Sequence, residues 1–254
     1  MTHRVYGAEY SLLKENNKDI KCFNWFYPIF ASQSWEPETF EVFEHAKKSD
    51  GVAIDIGSWI GATTIWLSKN FKSVLAIEAD KVACAALEKN LKESGCDNVD
   101  VINKPIYSTS TKVIFGVNQH VQLFVEEGLG SSTSQIKQEA TDASDTGELT
   151  ITLHDLQNII NLEEVCFVKV DIEGGEEVIL EELFKYAKRY RWKLLVSFHY
   201  DWWVDKNIDR YSEVFSELQI VRAVPFSDKV VSNEDVAKYI VENPFGSLYF
   251  EFYE

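Results

Sequence analysis

Short apolar runs alternate with segments of helical periodicity from Gly51 to the end of the chain. Runs rich in Val, Ile, Leu and Phe predict strands over residues 52–56, 73–77, 99–102, 165–172, 194–198, 219–224 and 247–253. Apolar residues at helical spacing predict helices over residues 61–70, 81–94, 153–160, 176–189 and 211–218. Strands separated by helices favour a mainly parallel sheet. We therefore expect a doubly wound α/β fold, with seven strands and with helices on both faces of the sheet.

Two parts of the chain depart from this alternation. Aromatic residues crowd into the first 50 residues, between and around prolines at positions 28 and 37. Such a cluster predicts a cap that packs on the main domain or a lid over a ligand site, and we favour the cap because dense aromatics mostly contribute burial. The middle of the chain holds β-rich stretches and a polar loop. We predict a cap over residues 1–50 and a main domain over residues 51–254, with a β-rich insertion around residues 108–152.

The composition limits the classes of binding partner and the cellular location that we expect. The 254 residues carry a formal net charge of -16 at pH 7, so an anionic duplex or membrane would meet a repulsive potential. We expect neither nucleic acid nor a membrane as a partner. The four cysteines form no Cys-x-x-Cys pair, and no signal-like segment opens the chain. These features favour a cytoplasmic location, while the oligomeric state stays open.

A glycine-containing turn, Asp55-Ile56-Gly57-Ser58-Trp59-Ile60-Gly61, follows the first predicted strand of the main domain. Gly57 allows a sharp turn against a ligand, and Gly61 lets the next helix pack closely. A dinucleotide fingerprint needs a third, middle glycine, and Asp55 would repel a pyrophosphate. Glu78 ends the second strand, where an acidic side chain accepts hydrogen bonds from ribose hydroxyls. The two carboxylates and the turn suit S-adenosylmethionine, whose sulfonium and ammonium groups are cationic.

Three blocks of the sequence resemble the FkbM-type methyltransferases, a family of Rossmann-like enzymes. The blocks are IDIGSWIGATTIWLS, AIEAD and VKVDIEGGEEVIL, and the resemblance covers residues 35–200. Glu36-Pro37-Glu38-Thr39 and Gly130-Ser131-Ser132 also fit the family. The resemblance implies a Rossmann-like fold and assigns a set of residues to the cofactor: Asp55, Gly57, Ser58, Gly61 and Glu78 in direct contact, with Asn103 and Ile106 near the adenine. The family usually has Ala-Asn after the first glycine, where this chain has Ser58-Trp59.

A second group of polar residues follows two later strands. Asp171 and Glu173 come after one strand and His199 after the next, so the three side chains converge if those strands are neighbours. Transfer of a methyl group to a hydroxyl requires removal of the hydroxyl proton. His199 is our candidate base, with Asp171 as an alternative base or as the group that orients the imidazole. Alternatively, Asp171 and Glu173, with or without His199, hold a Mg²⁺ or Mn²⁺ ion that acidifies the hydroxyl.

Trp202 and Trp203 directly follow this group, where they either stack on a sugar face or anchor the last helix. The expected function is S-adenosylmethionine-dependent O-methylation of a hydroxyl on a sugar, a glycan or a related small polar acceptor, which is the substrate class that the resemblance implies. Two alternatives stay open: an N-methyltransferase acting on a small molecule and a non-catalytic Rossmann-like binding protein. A nucleotide-cofactor oxidoreductase is disfavoured by the glycine spacing and by Asp55.

Overall fold

The computed structural model describes residues 3–10, 23–117, 125–126, 130–131, 134–139, 148–226 and 230–252. The first elements are a hairpin and two helices: β1 (His3–Val5), β2 (Ala8–Tyr10), α1 (Phe23–Ala31) and α2 (Pro37–Ala46). The aromatic side chains of Phe26, Phe30, Phe40 and Phe43 are buried here against the main sheet. These four side chains therefore belong to the core on one face of the sheet, and the predicted cap over residues 1–50 stays a prediction.

The first half of the main sheet follows the predicted alternation. Its elements are β3 (Val52–Ile56), α3 (Ala62–Asn70), β4 (Ser73–Ile77), α4 (Lys81–Glu93) and β5 (Val99–Ile102). All five residues of β3 are buried because helices cover both faces of the sheet. The start of α4 is fixed by Asp80, whose carboxylate accepts hydrogen bonds from the backbone N–H groups of Val82 and Ala83.

The middle of the chain forms short antiparallel strands: β6 (Lys112–Val117), β7 (Val125–Glu126), β8 (Gly130–Ser131), β9 (Ser134–Glu139) and β10 (Glu148–Leu149). β6 lies between β9 and β10, and β7 pairs with β8. These strands fall in the stretch around residues 108–152 where a β-rich insertion is expected, and residues 118–124, 127–129, 132–133 and 140–147 of that stretch lie outside the described ranges.

The second half of the main sheet brings in the remaining elements: β11 (Val165–Val170), α5 (Glu176–Tyr190), β12 (Lys193–Ser197), α6 (Ser212–Ser216), β13 (Ile220–Val224), α7 (Val236–Glu242) and β14 (Ser247–Glu251). The short helix expected over residues 153–160 is a 3₁₀ turn at His154–Asn158. α7 has no counterpart among the predicted elements, because only two of its residues, Val236 and Ile240, are buried and its apolar pattern is therefore weak.

The strand order of the main sheet is β5-β4-β3-β11-β12-β14-β13. β5, β4, β3, β11 and β12 are parallel, and β14 runs antiparallel to both of its neighbours. Buried side chains form one apolar cluster on each face, with Ile54 on one side and its neighbour Ala53 on the other. The chain therefore has the expected Rossmann-like, doubly wound fold with a mainly parallel seven-stranded sheet. Its strand order reverses between β3 and β11.

Candidate active site

A cavity opens at the carboxyl ends of the strands, where the strand order reverses. This is the place at which open α/β sheets bind ligands. Turns after β3, β4, β5 and β11 line the cavity, together with the segment that leads into α2. Six of the predicted site residues line it: Gly57, Ser58, Glu78, Ile106, Asp171 and Glu173. The other four, Asp55, Gly61, Asn103 and His199, lie outside its lining.

The glycines of the turn after β3 are required by contacts within the protein. Gly57 has a φ of +83°, and a Cβ atom there would lie 1.8 Å from the carbonyl oxygen of Asp171. Gly61 has a φ of +94°, and its Cβ would lie 2.6 Å from Cδ1 of Leu87 in α4. Gly57 thus lets the turn after β3 lie against the turn after β11, and Gly61 lets α3 start close to α4. The two turns that carry the candidate ligand residues are held together in this way.

Three other lining residues adopt a left-handed backbone although they are not glycine. The φ angles are 45° at Glu36, 45° at Trp59 and 57° at Glu173. Each such residue costs about 1–2 kcal/mol, and strain of this kind clusters at functional sites. The indole Nε1 of Trp59 is also buried without a hydrogen-bond partner in the described part of the chain. The concentration of these features around one cavity indicates a functional site.

Glu78 presents a buried carboxylate to the cavity. Its Oε2 accepts a hydrogen bond from the backbone N–H of Trp59 at 2.7 Å, and its Oε1 accepts one from the N–H of Asp80 at 2.8 Å. Burial raises the pKa of Glu78 to about 7, against the opposing effect of these two hydrogen bonds. Because each carboxylate oxygen has a second lone pair, Glu78 can accept two further hydrogen bonds from a ligand.

The turn after β5 closes the side of the cavity next to Glu78. Ile106 is buried and lines the cavity together with Lys104 and Pro105. Asn103 is exposed, and its Nδ2 donates hydrogen bonds to the carbonyl oxygens of Glu78 and Ala79 at 2.8 and 3.2 Å. Asn103 therefore braces the turn after β4, and the ligand contact predicted for it stays a prediction.

Asp55 lies beneath the cavity in a buried ion pair. Its Oδ1 is 3.4 Å from the Nζ of Lys169, and its Oδ2 accepts hydrogen bonds from the hydroxyls of Thr63 and Thr64 at 2.8 and 2.7 Å. The Asp55 side chain is 0% exposed. Lys169 also donates to the carbonyl oxygen of Gly57 at 3.1 Å. The charge of Asp55 therefore has protein partners, and its predicted contact with the cofactor stays a prediction.

Lys169 and Glu36 place opposite charges at the wall of the cavity. Burial opposes the charged form of Lys169, but Asp55, Asp171 and Glu36 raise its pKa above the ordinary range for lysine. Burial and the nearby Asp171 raise the pKa of Glu36 to about 7, while Lys169 acts in the opposite direction. The sequence interpretation assigned no role to either residue. Lys169 is a lone lysine inside an apolar strand, and this could have indicated a buried ion pair in the sequence, because a buried cation requires carboxylate partners.

Asp171, Glu173 and His199 converge as predicted, because β11 and β12 are parallel neighbours. The Nε2 of His199 is 3.7 Å from Oδ1 of Asp171 and 3.5 Å from Oε2 of Glu173. One ligand atom from each of the three residues lies within 4.8 Å of the others. Two carboxylates and an imidazole in this arrangement form a donor set suited to a divalent cation.

Glu176, which the sequence interpretation did not single out, orients the imidazole of His199. Its Oε1 is 3.0 Å from Nδ1 of His199, so Nε2 faces Asp171 and Glu173. Burial alone would lower the pKa of His199, but Glu176, Asp171 and Glu173 together raise it to about 10. Burial also raises the pKa of Glu173 to about 8, against the effect of the nearby His199. These three acidic side chains therefore favour the protonated form of His199.

No family model matches this chain, and no curated protein matches it. Solved structures with a similar fold include several methyltransferases at low sequence identity. An rRNA methylase from Streptococcus thermophilus is 13% identical, with 89% of this chain and 97% of that chain covered and a TM-score of 0.47. The methyltransferase FkbM from Methylobacillus flagellatus KT is 14% identical, with 88% and 52% covered and a TM-score of 0.46. An O-methyltransferase from Bacillus cereus in complex with SAH is 14% identical, with 85% and 79% covered and a TM-score of 0.45.

Across the described residues, no helix combines the length and the apolar character needed to cross a bilayer. The expected cytoplasmic location stays a prediction, as does the expected lack of nucleic-acid and membrane partners.

Proposed function

We propose that this chain is an S-adenosylmethionine-dependent methyltransferase of the FkbM type that methylates a hydroxyl on a sugar, a glycan or a related small polar acceptor. One observation carries the proposal: a single cavity at the switch point of the sheet joins the glycine turn and Glu78 to Asp171 and Glu173. A cofactor site and a group of residues suited to proton removal are therefore adjacent. The motifs quoted from the sequence support the same assignment.

The residues around the cavity fit the chemical groups of the cofactor. Glu78 has lone pairs for two vicinal ribose hydroxyls, since backbone N–H groups occupy only one on each oxygen. Ile106 and Pro105 provide an apolar wall for the adenine. At the methionine end of the cofactor, Lys169 offers a cation for the carboxylate. Glu36 offers an acidic side chain for the ammonium group. A pyrophosphate, by contrast, would meet the carboxylates of Glu36 and Glu78.

The chain's own residues supply alignment and proton removal. S-adenosylmethionine, when bound, supplies an electrophilic methyl group. The turn that holds Asp171 and Glu173 lies directly against the glycine turn, so an acceptor held by these carboxylates is close to the cofactor cavity. Alignment of this kind contributes much of the rate in a displacement reaction.

Removal of the acceptor proton can follow two routes. In the first route, the carboxylate of Asp171 is the base and His199, whose protonated form the surrounding acids favour, is its partner. In the second route, Asp171, Glu173 and Nε2 of His199 would hold a Mg²⁺ or Mn²⁺ ion, with Nδ1 of His199 donating to Glu176. A histidine ligand oriented by a carboxylate in this way is a common arrangement around metal ions. The ion would acidify the hydroxyl, and we favour this route because three carboxylates surround His199.

The test is methylation of an acceptor panel of methyl pyranosides, oligosaccharides and small amines, assayed by mass spectrometry with and without a chelator. We expect a mass gain of one CH₂ on a hydroxyl-bearing acceptor, loss of product with the chelator, and recovery with added Mg²⁺ or Mn²⁺. Methylation of the amines alone would instead favour the N-methyltransferase. Binding of S-adenosylmethionine without turnover of any acceptor would favour the non-catalytic binding protein.

A further inference from the structure

Two aromatic rings extend the candidate active site outwards from His199. The ring of Trp202 stacks on the imidazole of His199, with a centroid separation of 5.2 Å and an interplanar angle of 12°. Phe245 meets Trp202 edge to face, at 5.2 Å and 70°. The cavity, the carboxylates of Asp171 and Glu173, His199, Trp202 and Phe245 thus follow one another from the interior to the surface. We call Trp202 and Phe245 the aromatic platform.

The platform is open to solvent, although Trp203, which directly follows Trp202 in the chain, is buried. Trp203 is 3% exposed, and its Nε1 donates to Oε2 of Glu176 at 3.4 Å, so it belongs to the core. Trp202 is half-buried, and Phe245 is 57% exposed. Leaving a phenylalanine ring in water forgoes the free energy that its burial would supply. The two adjacent tryptophans therefore have different roles, and only Trp202 is available to a ligand.

The backbone that carries the platform is fixed by several hydrogen bonds. Buried Glu177 accepts hydrogen bonds from the N–H groups of Val204 and Asp205 at 2.7 and 2.9 Å. The N–H of Tyr200 donates to the carbonyl oxygen of Pro244 at 2.8 Å, which ties the loop after β12 to the residue before Phe245. A Cβ atom on Gly174 would lie 3.2 Å from Cβ of Trp202, so this loop also contacts the turn after β11. A surface prepared in this way loses little conformational entropy when it binds a ligand.

We infer that Trp202 and Phe245 form the acceptor-binding surface and select a neutral ring that has an apolar C–H face and hydroxyls at its edge, as a pyranoside does. This inference rests on the proposed function and names residues for its acceptor. The apolar face of the ring lies on the platform, where aromatic side chains bind through a large flat surface. The hydroxyls at the edge of the ring then face Asp171 and Glu173, which would bind them directly or through the cation of the favoured route.

The test is saturation-transfer-difference NMR with three methyl pyranosides (methyl β-D-glucopyranoside, methyl β-D-galactopyranoside and methyl α-D-mannopyranoside) in the presence of S-adenosylhomocysteine. We expect the wild-type protein to bind at least one of them, with the strongest saturation transfer to protons on one ring face. Trp202→Ala and Phe245→Ala should each weaken that binding about tenfold. Trp202→Phe should retain part of the affinity. Val204→Ala is the matched control, because Val204 is 96% exposed on the same loop, and it should bind like the wild type.

Calorimetry with S-adenosylhomocysteine on the same samples separates this inference from the proposed function. If the wild-type protein does not bind S-adenosylhomocysteine, the proposed function is contradicted. Two results would overturn the inference that the aromatic platform binds the acceptor. The first is that the wild-type protein binds S-adenosylhomocysteine and gives no pyranoside signal. The second is that the pyranoside affinities of Trp202→Ala and Phe245→Ala both stay within twofold of wild type. Phe245→Ala changes an exposed side chain, so its fold should persist even if Trp202→Ala does not fold.

Discussion

Replacing Lys169 with methionine should strongly destabilise the protein, because it removes the cation that balances a buried carboxylate. The side chain of Lys169 is 3% exposed, and its Nζ lies 3.4 Å from Asp55 and 3.7 Å from Asp171. Methionine keeps most of the apolar stem and removes only the charge and its hydrogen bonds. Asp55 would then keep two hydroxyl donors, from Thr63 and Thr64, and no cation.

The size of the effect follows from the burial of both partners. Breaking a buried ion pair by removing one partner costs about 3–5 kcal/mol. For a chain of this length, a loss of 1 kcal/mol lowers Tm by about 2–4 °C. We therefore expect Lys169→Met to lower Tm by roughly 6–20 °C.

Thermal and urea unfolding of the variant, compared with two controls, would measure this loss. Lys89→Met changes an exposed lysine of α4, and it should alter stability by less than about 0.5 kcal/mol. The double variant Asp55→Asn with Lys169→Met should recover much of the lost stability, because the fully buried carboxylate of Asp55 is removed together with its cation. A loss below about 1 kcal/mol in Lys169→Met, or no recovery in the double variant, would refute the buried ion pair as the cause.

Three further predictions concern the cavity. The pKa of Glu78 is about 7 in the folded protein and 4.5 for a solvent-exposed glutamate, so protonation of Glu78 stabilises the fold at low pH. This contribution to the free energy of unfolding, about 3 kcal/mol at most, is lost as pH rises from 5 to 8. The free energy of unfolding of Glu78→Gln, measured by urea unfolding at a series of pH values, should therefore depend less on pH than that of the wild type. An unchanged pH dependence in the variant would contradict the raised pKa. Gly57→Ala should lower the free energy of unfolding by about 3 kcal/mol or more. Its control is Gly95→Ala, where φ is +61° and the added Cβ meets open space, and this change should cost about 1–2 kcal/mol. Equal losses in the two variants would contradict the close approach of Gly57 to the carbonyl oxygen of Asp171. His199→Ala should leave S-adenosylmethionine affinity within about twofold of wild type and reduce turnover about 100-fold or more. Calorimetry would measure the affinity, and a methylation assay would measure the turnover. Intact turnover in the variant would show that His199 has no part in the mechanism.

Most of the main sheet could be predicted because each strand carries its own signal. The strands at Val52–Ile56, Ser73–Ile77 and Val165–Val170 are short apolar runs bounded by helical periodicity, and the structure has them at or near the predicted positions. The antiparallel direction of β14 and the helix α7 before it were not predictable in the same way. The direction of a strand depends on its partners in the sheet, and α7 buries too few residues to show a clear period.

The candidate site was predictable where function follows position along a strand. Asp171, Glu173 and His199 follow two strands that proved to be neighbours, so their convergence could be inferred from the order of elements. Glu36 and Lys169 were missed because their importance comes from burial next to each other, which sequence spacing does not reveal. Asp55 illustrates the opposite case: the sequence interpretation directed its charge towards a ligand, whereas the structure pairs it with a lysine and two threonines.

Titration calorimetry with S-adenosylmethionine tests the central claim most directly. We expect the wild-type protein to bind S-adenosylmethionine and S-adenosylhomocysteine and not to bind NAD. Glu78→Ala should weaken the binding about tenfold or more, whereas Glu88→Ala, on the exposed face of α4, should bind like the wild type. Absence of S-adenosylmethionine binding, binding of NAD in its place, or equal affinity in the Glu78 and Glu88 variants would contradict the account.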